Sequence, residues 1–145
     1  MGLDITHGCW SGGYSAFMRW RIEIAKVADI PLELMENYYN HDLIDGVENV
    51  QPPYIMNRLQ RFDAYLPIKW SALKPDVLHV LLDHSDCEGD IAAEHCAPLA
   101  DRLEELLPLL VGDGGGHIGL YRDKTQTFID GLRLAASLNE AIEFC

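Results

Sequence analysis

The stretch His84-Ser85-Asp86-Cys87-Glu88-Gly89-Asp90-Ile91 gathers imidazole, carboxylate and thiol groups around a single glycine. Taking His84 as the first position of an EF-hand-like loop puts Asp86 third, Glu88 fifth, Gly89 at the glycine position, Ile91 at the apolar eighth position and His95 twelfth. Calcium wants carboxylate oxygen at both ends of such a loop, whereas imidazole suits zinc or another transition metal. The donor set His84, Asp86, Glu88 and His95, with Cys87 beside them, therefore favours zinc over calcium as a divalent ion, although its spacing matches no standard zinc motif. The other reading is a glycine turn whose carboxylates favour the positive end of the helix that follows. No cofactor is required for that turn to form.

Two glycine-rich turns offer different chemistry. His7-Gly8-Cys9-Trp10-Ser11-Gly12-Gly13 and Gly112-Asp113-Gly114-Gly115-Gly116-His117 each stand before a run with helical periodicity. Small residues let backbone amides approach an anion, and a helix dipole adds a positive end. Arg122 and Lys124 follow His117 closely and could add charge. If the turns adjoin, His7, Trp10, His84, Asp86, His117 and Arg122 would form a pocket for a small anionic, nucleotide-like ligand. Trp10 would stack on a base there, and the histidines would serve as acid and base. Neither turn carries a Walker motif or a dinucleotide fingerprint, and Asp113 opposes an anion. No nucleophile stands out: Ser11 lacks a Gly-x-Ser-x-Gly elbow, and Cys9 lies too near His7 in sequence to imply a catalytic pair. No catalytic residue is assigned.

The elements that must position these groups are mainly helical. Leu3 and Ile5 alternate with polar neighbours, as in a short strand ending at the turn His7 to Trp10, after which Ser11 reads as a helix cap. Tyr14, Phe17, Met18, Ile24, Ala25 and Ala28 mark one face of a first helix that stops before Pro31. Ile91 to Leu110 carries a second apolar stripe, with Pro98 expected in the first turn, where its missing amide costs nothing. The last helix is expected from about His117 to Leu138. Val77 to Leu82 reads equally as helix or buried strand. Ala141, Ile142 and Phe144 look like a short strand, with the Leu3 strand as natural partner. The expectation is a mainly α, single globular domain over residues 1–145, with a minor two-stranded β element pairing the N- and C-terminal segments. An irregular excursion rich in aromatic residues and proline occupies about 29–75.

Composition limits the function. The chain has 145 residues, 23 Asp plus Glu against 11 Lys plus Arg, and a formal net charge of −12. Such a surface does not neutralise phosphates, so direct nucleic-acid binding and adhesion to anionic membranes are disfavoured. No apolar run approaches the roughly 20 residues of a membrane span, and the start lacks a signal-peptide pattern, so a cytoplasmic protein is expected. The cysteines, without Cys-x-x-Cys spacing, read as reduced thiols, Cys96 in the core and Cys145 exposed. The acids are grouped. Asp29, Glu33, Glu36, Asp42, Asp45 and Glu48 form one block without Lys or Arg, and the eight acids from Asp83 to Glu105 share only Arg102.

The blocks Gly2-Leu-Asp-Ile-Thr-His7-Gly-Cys-Trp10-Ser-Gly-Gly-Tyr-Ser-Ala-Phe17, His84-Ser-Asp-Cys-Glu-Gly89 and Gly116-His-Ile-Gly-Leu-Tyr-Arg-Asp-Lys-Thr125 resemble a family of small uncharacterised acidic proteins of bacteriophages, prophages and some actinobacteria. Glu88 stands where that family usually has Asp, which would lengthen any ligand there. The resemblance implies a phage-like origin, hence the cytoplasm of a host cell, and supplies no catalytic residues. Two functions are weighed. One is an acidic interaction protein that binds a host protein and inhibits a defence or nucleic-acid-handling system by presenting carboxylates where phosphates would bind. The other is a small enzyme or sequesterer of a nucleotide-like ligand, with or without a metal. Oligomeric state is left open.

Overall fold

The computed structural model describes residues 2–32, 35, 70, 76–85, 88–112 and 119–145. The chain divides into two compact units, Met1–Ile30 with Asp76–Cys145, and Pro31–Pro75. In the second unit only Pro31, Leu32, Met35 and Trp70 are described, so most of the excursion expected at about 29–75 lies outside the described residues.

The first unit opens with a β-hairpin. Strand β1 (Gly2–Ile5) pairs antiparallel with β2 (Trp10–Gly13), in a register that sets Leu3 opposite Gly12 and Ile5 opposite Trp10. The turn between them contains two consecutive residues at positive φ, His7 (63°) and Gly8 (74°). Histidine, unlike a β-branched residue, is among the side chains found in that region. The expected turn thus ends early, and Ser11 lies within a strand rather than capping a helix. Helix α1 (Tyr14–Val27) instead has Gly13 as its N-cap.

Helix α1 buries Ala16, Phe17, Trp20, Arg21, Ile24 and Ala25, a stripe at three- and four-residue spacing. It ends in a Schellman arrangement: Asp29 takes φ 61° while its N–H donates to Lys26 O (3.2 Å) and that of Ile30 to Ala25 O (2.8 Å). The short α2 (His79–Leu82) settles the ambiguity at Val77 to Leu82 in favour of a helix. Strand β3 (Asp90–Ile91) leads into α3 (Ala93–Leu106), which buries Cys96, Leu99, Ala100, Leu103 and Leu106. Pro98 is not in the first turn but in the second, where it removes a backbone bond and crowds the Glu94 carbonyl. Helix α4 begins at Tyr121 rather than near His117 and runs to Ser137, burying Thr125, Phe128, Ile129, Gly131, Leu132 and Ala135 against α3 and the His7 turn. It closes as α1 does, with Asn139 at φ 55° and Glu140 N–H on Ala135 O (2.9 Å).

The chain's end joins the two sheets. Strand β4 (Ile142–Glu143) pairs antiparallel with β3, setting Asp90 opposite Glu143 and Ile91 opposite Ile142. A single bridge, Ile5 to Phe144, ties it to β1. Asp4 and Cys145 exchange both backbone bonds (3.2 and 2.9 Å), so the terminal segments meet, although each has another strand as its regular partner. The architecture is mainly α with minor β. The alternation of β1, β3 and β4 puts Leu3, Ile5, Ile91, Ile142 and Phe144 in the core and Asp4, Asp90 and Glu143 outside.

Candidate functional site

Gly131 allows the His7 turn to lie on α4. A methyl group there would come within 2.5 Å of Cys9 Sγ and 2.9 Å of both Cys9 N and His7 O. Cys9 is consequently buried, and burial, reinforced by the neighbouring Cys96 thiol, pushes its pKa up to about 12. Such a thiol stays protonated at neutral pH and makes a poor nucleophile. Cys96 is also buried and raised for the same first cause. Beside them, His7 Nδ1 lies 3.0 Å from Thr6 Oγ1 and Nε2 lies 3.3 Å from Glu140 Oε1. Thr6 Oγ1 in turn accepts the Glu143 N–H at 2.9 Å. The Schellman end of α4 is what delivers Glu140 to His7, a connection that spacing along the chain does not reveal.

His84 is held inside its own loop. Its Nδ1 lies 2.7 Å from Ser85 O and its Nε2 2.8 Å from Asp90 O, and the ring stacks on Phe144 with centroids 4.0 Å apart. A neutral imidazole has one N–H, so it bonds one of these carbonyls, and the protonated ring bonds both. In this arrangement neither nitrogen is turned outward to a metal. Gly89, at φ 97°, lies against the ring, where a Cβ would approach it to 3.3 Å. Arg21, buried in α1, reaches across to donate from Nη1 to His84 O (2.7 Å) and Leu81 O (3.4 Å), closing the C-terminal end of α2. Of the other residues considered as metal ligands, Glu88 is exposed and His95 Nε2 lies 3.9 Å from Glu94. Asp86 is outside the described residues. Among the described residues no group of three or more His, Cys, Asp and Glu converges as a metal would require.

Trp10 is 3% exposed, and its ring meets Phe17 edge-on at 5.1 Å and Trp20 at 5.4 Å. Lys124 Nζ stands 4.7 Å from the Trp10 ring centroid. The ring is enclosed, which corrects the expectation that it offers a face for stacking a base. The contact with Lys124 does bring the first glycine-rich segment to the opening turn of α4. Arg122 is exposed on that turn, and His117 lies outside the described residues. Among the described residues, no hydrogen bond, ion pair or ring contact joins any two of His7, Trp10, His84 and Arg122.

Two groups of acids differ in how they are paired. On α3, Asp101 and Glu104 are both bound by Arg133, and Arg102 forks onto Asp76 (3.1 Å) while also holding Glu105 (3.2 Å). On the outer side of β1, β3 and β4, Asp4, Asp90 and Glu143 are exposed, with Glu88 nearby in sequence, and no cation among the described residues pairs with them. No described helix is long and apolar enough to cross a membrane. The chain matches no known family model, and no curated protein or solved structure is significantly similar to it.

Proposed function

We propose that the chain is an interaction protein that docks a basic surface of a partner protein through the outer carboxylates of β1, β3 and β4. The observation that carries this reading is the cross-strand pair Asp90 and Glu143. Like charges directly opposite one another destabilise a strand pair, by about 0.2–1 kcal/mol on the scale of such contacts. Here both are exposed and neither is compensated by a described cation, whereas Asp101, Glu104 and Glu105 on α3 are neutralised within the fold. A cost that returns nothing to stability is what a binding surface imposes. Carboxylates spaced along extended strands can occupy a basic groove that otherwise takes phosphates, and they steer association through long-range attraction. With the resemblance to phage and prophage proteins, the partner proposed is a host protein of a defence or nucleic-acid-handling system, met in the host cytoplasm.

A salt titration tests the proposal. Partner captured from bacterial lysate at about 50 mM salt should be released by about 500 mM, because the screening length falls severalfold over that range. Retention that is indifferent to salt would overturn the reading.

A further inference from the structure

The hairpin ends in an open edge. Asp4 exchanges both of its backbone hydrogen bonds with Cys145 (3.2 and 2.9 Å), so its N–H and C=O point away from β2, and the Asp4–Ser11 pair of the hairpin is of the non-hydrogen-bonded kind. The alternation of an antiparallel ladder then fixes the rest. Leu3 bonds Gly12 and Ile5 bonds Trp10, while Ser11 directs its N–H and C=O, and Gly13 its N–H, to the far side of β2. Among the described residues nothing takes up these three backbone groups. Ser11 is exposed, and a Cβ built on Gly13 would meet no atom within 4 Å. Natural sheet edges are commonly blunted by lysine, proline or a bulge, and the unbroken register of Trp10–Gly13 contains none of these.

The geometry points to this edge as a docking site for an extended segment of a partner protein that places a lysine or arginine opposite Ser11. The segment adds as a further strand antiparallel to β2: Ser11 donates to and accepts from the residue facing it, and Gly13 donates one more bond. The edge is four residues long, so main-chain bonding gives little selectivity, and the side chain opposite Ser11 supplies the rest. That side chain lies on the same outer face as Ser11 and Asp4, two strand spacings, about 10 Å, from the Asp4 backbone. Ser11 is small and leaves a long cationic side chain room to lie over it, and Asp4 is exposed without a described cation. A second copy of the chain is a poorer occupant, because pairing β2 with itself brings two Asp4 carboxylates to one patch and joins two chains of net charge −12. The partner's cation rests on the proposed docking to a basic surface, whereas the open edge is independent of it.

The test uses the full chain and blocked heptapeptides of alternating valine and threonine with a single lysine at the centre, and it follows exchange of the Ser11 amide with water by nuclear magnetic resonance. The peptide should slow that exchange about tenfold or more at saturation. It should bind about tenfold more tightly than the same peptide N-methylated at the lysine, which lacks the N–H that Ser11 O accepts, and than the peptide with threonine in place of lysine. Ser11→Pro removes an outward N–H that the fold does not use, at an edge position where proline is tolerated, and should weaken binding by a similar factor. Unchanged exchange of the Ser11 amide, or equal binding of the N-methylated or the threonine peptide, would overturn the proposal. Protection of Ser11 that grows with protein concentration in the absence of peptide would also overturn it, by assigning the edge to a second copy. The N-methylated peptide leaves the protein untouched, so the test stays decisive even if Ser11→Pro folds poorly. Salt-sensitive capture of a partner with an unprotected Ser11 amide overturns this inference alone, and protection by the peptide with capture indifferent to salt supports the edge while overturning only the docking to a basic surface.

Discussion

The outer and inner sides of the two small sheets carry opposite chemistry. Outside, Asp4, Asp90 and Glu143 stand exposed without described cations. Inside, Trp10 is buried with its N–H unpaired and Lys124 over its ring. One face has acceptors in excess and the other has donors. Net charge alone does not show this, because most of the α3 acids that contribute to the total of −12 are neutralised by Arg102 and Arg133. Where a charge is paired matters more than how many there are.

The contrast depends on the hairpin being held to α4, and the largest effect should come from loosening that joint. Gly131→Ala places a methyl group against Cys9 and the His7 carbonyl, so it should cost about 2–4 kcal/mol in denaturant unfolding, with the slope unchanged. A loss under about 0.5 kcal/mol would mean that the turn yields freely and that the inner face is not rigidly built. Next is the paired indole. Thr125→Val removes the acceptor of Trp20 and should destabilise by about 1–3 kcal/mol, the cost of a buried orphan donor. A neutral result would imply that unpaired buried donors such as Trp10 Nε1 are tolerated here.

Smaller effects belong to the outer face. Asp90→Asn or Glu143→Gln should raise stability by about 0.2–1 kcal/mol at low salt, and the gain should shrink as salt is added. Asp101→Asn gives up its contact with Arg133 and should be neutral or slightly destabilising. Opposite signs sharpen the distinction between paired and unpaired acids, and equal signs erase it. The last effect is confined to alkaline pH and is absent at neutrality. The Cys9 pKa rises from 9.0 to about 12 on folding, so the folded state holds its proton more firmly. That contribution is complete below pH 9 and is lost as pH climbs through 9 to 12. Cys9→Ala should therefore lose stability less steeply across that window in pH-dependent unfolding.

Much of the helical framework is legible in the sequence, because α1, α3 and α4 place their apolar residues at helical spacing. The hairpin is not, because Gly12 and Gly13 in Trp10–Gly13 resemble a turn and only pairing with β1 makes the segment a strand. The helix ends are concealed for a related reason. Asp29 and Asn139 occupy left-handed positions usually given to glycine, and the turn at Asn139 brings Glu140 to His7. Pro98 inside α3 is tolerated by tertiary packing against local preference. In the candidate sites, the individual residues Trp10, His84 and Lys124 stand out by type, but their partners come from distant elements. The pairing of Asp101 and Glu104 with Arg133, and the enclosure of Trp10 by Phe17 and Trp20, follow from helix packing that no local pattern encodes.

The central claim is that the unpaired carboxylates, rather than the total negative charge, form the docking surface. Two doubly substituted chains test it most directly, Asp90→Asn with Glu143→Gln and Asp101→Asn with Glu104→Gln, since each removes two negative charges. Partner capture at about 50 mM salt should fall tenfold or more for the first pair, equivalent to about 1.4 kcal/mol, and stay near wild type for the second. Equal capture by the two variants would contradict the account.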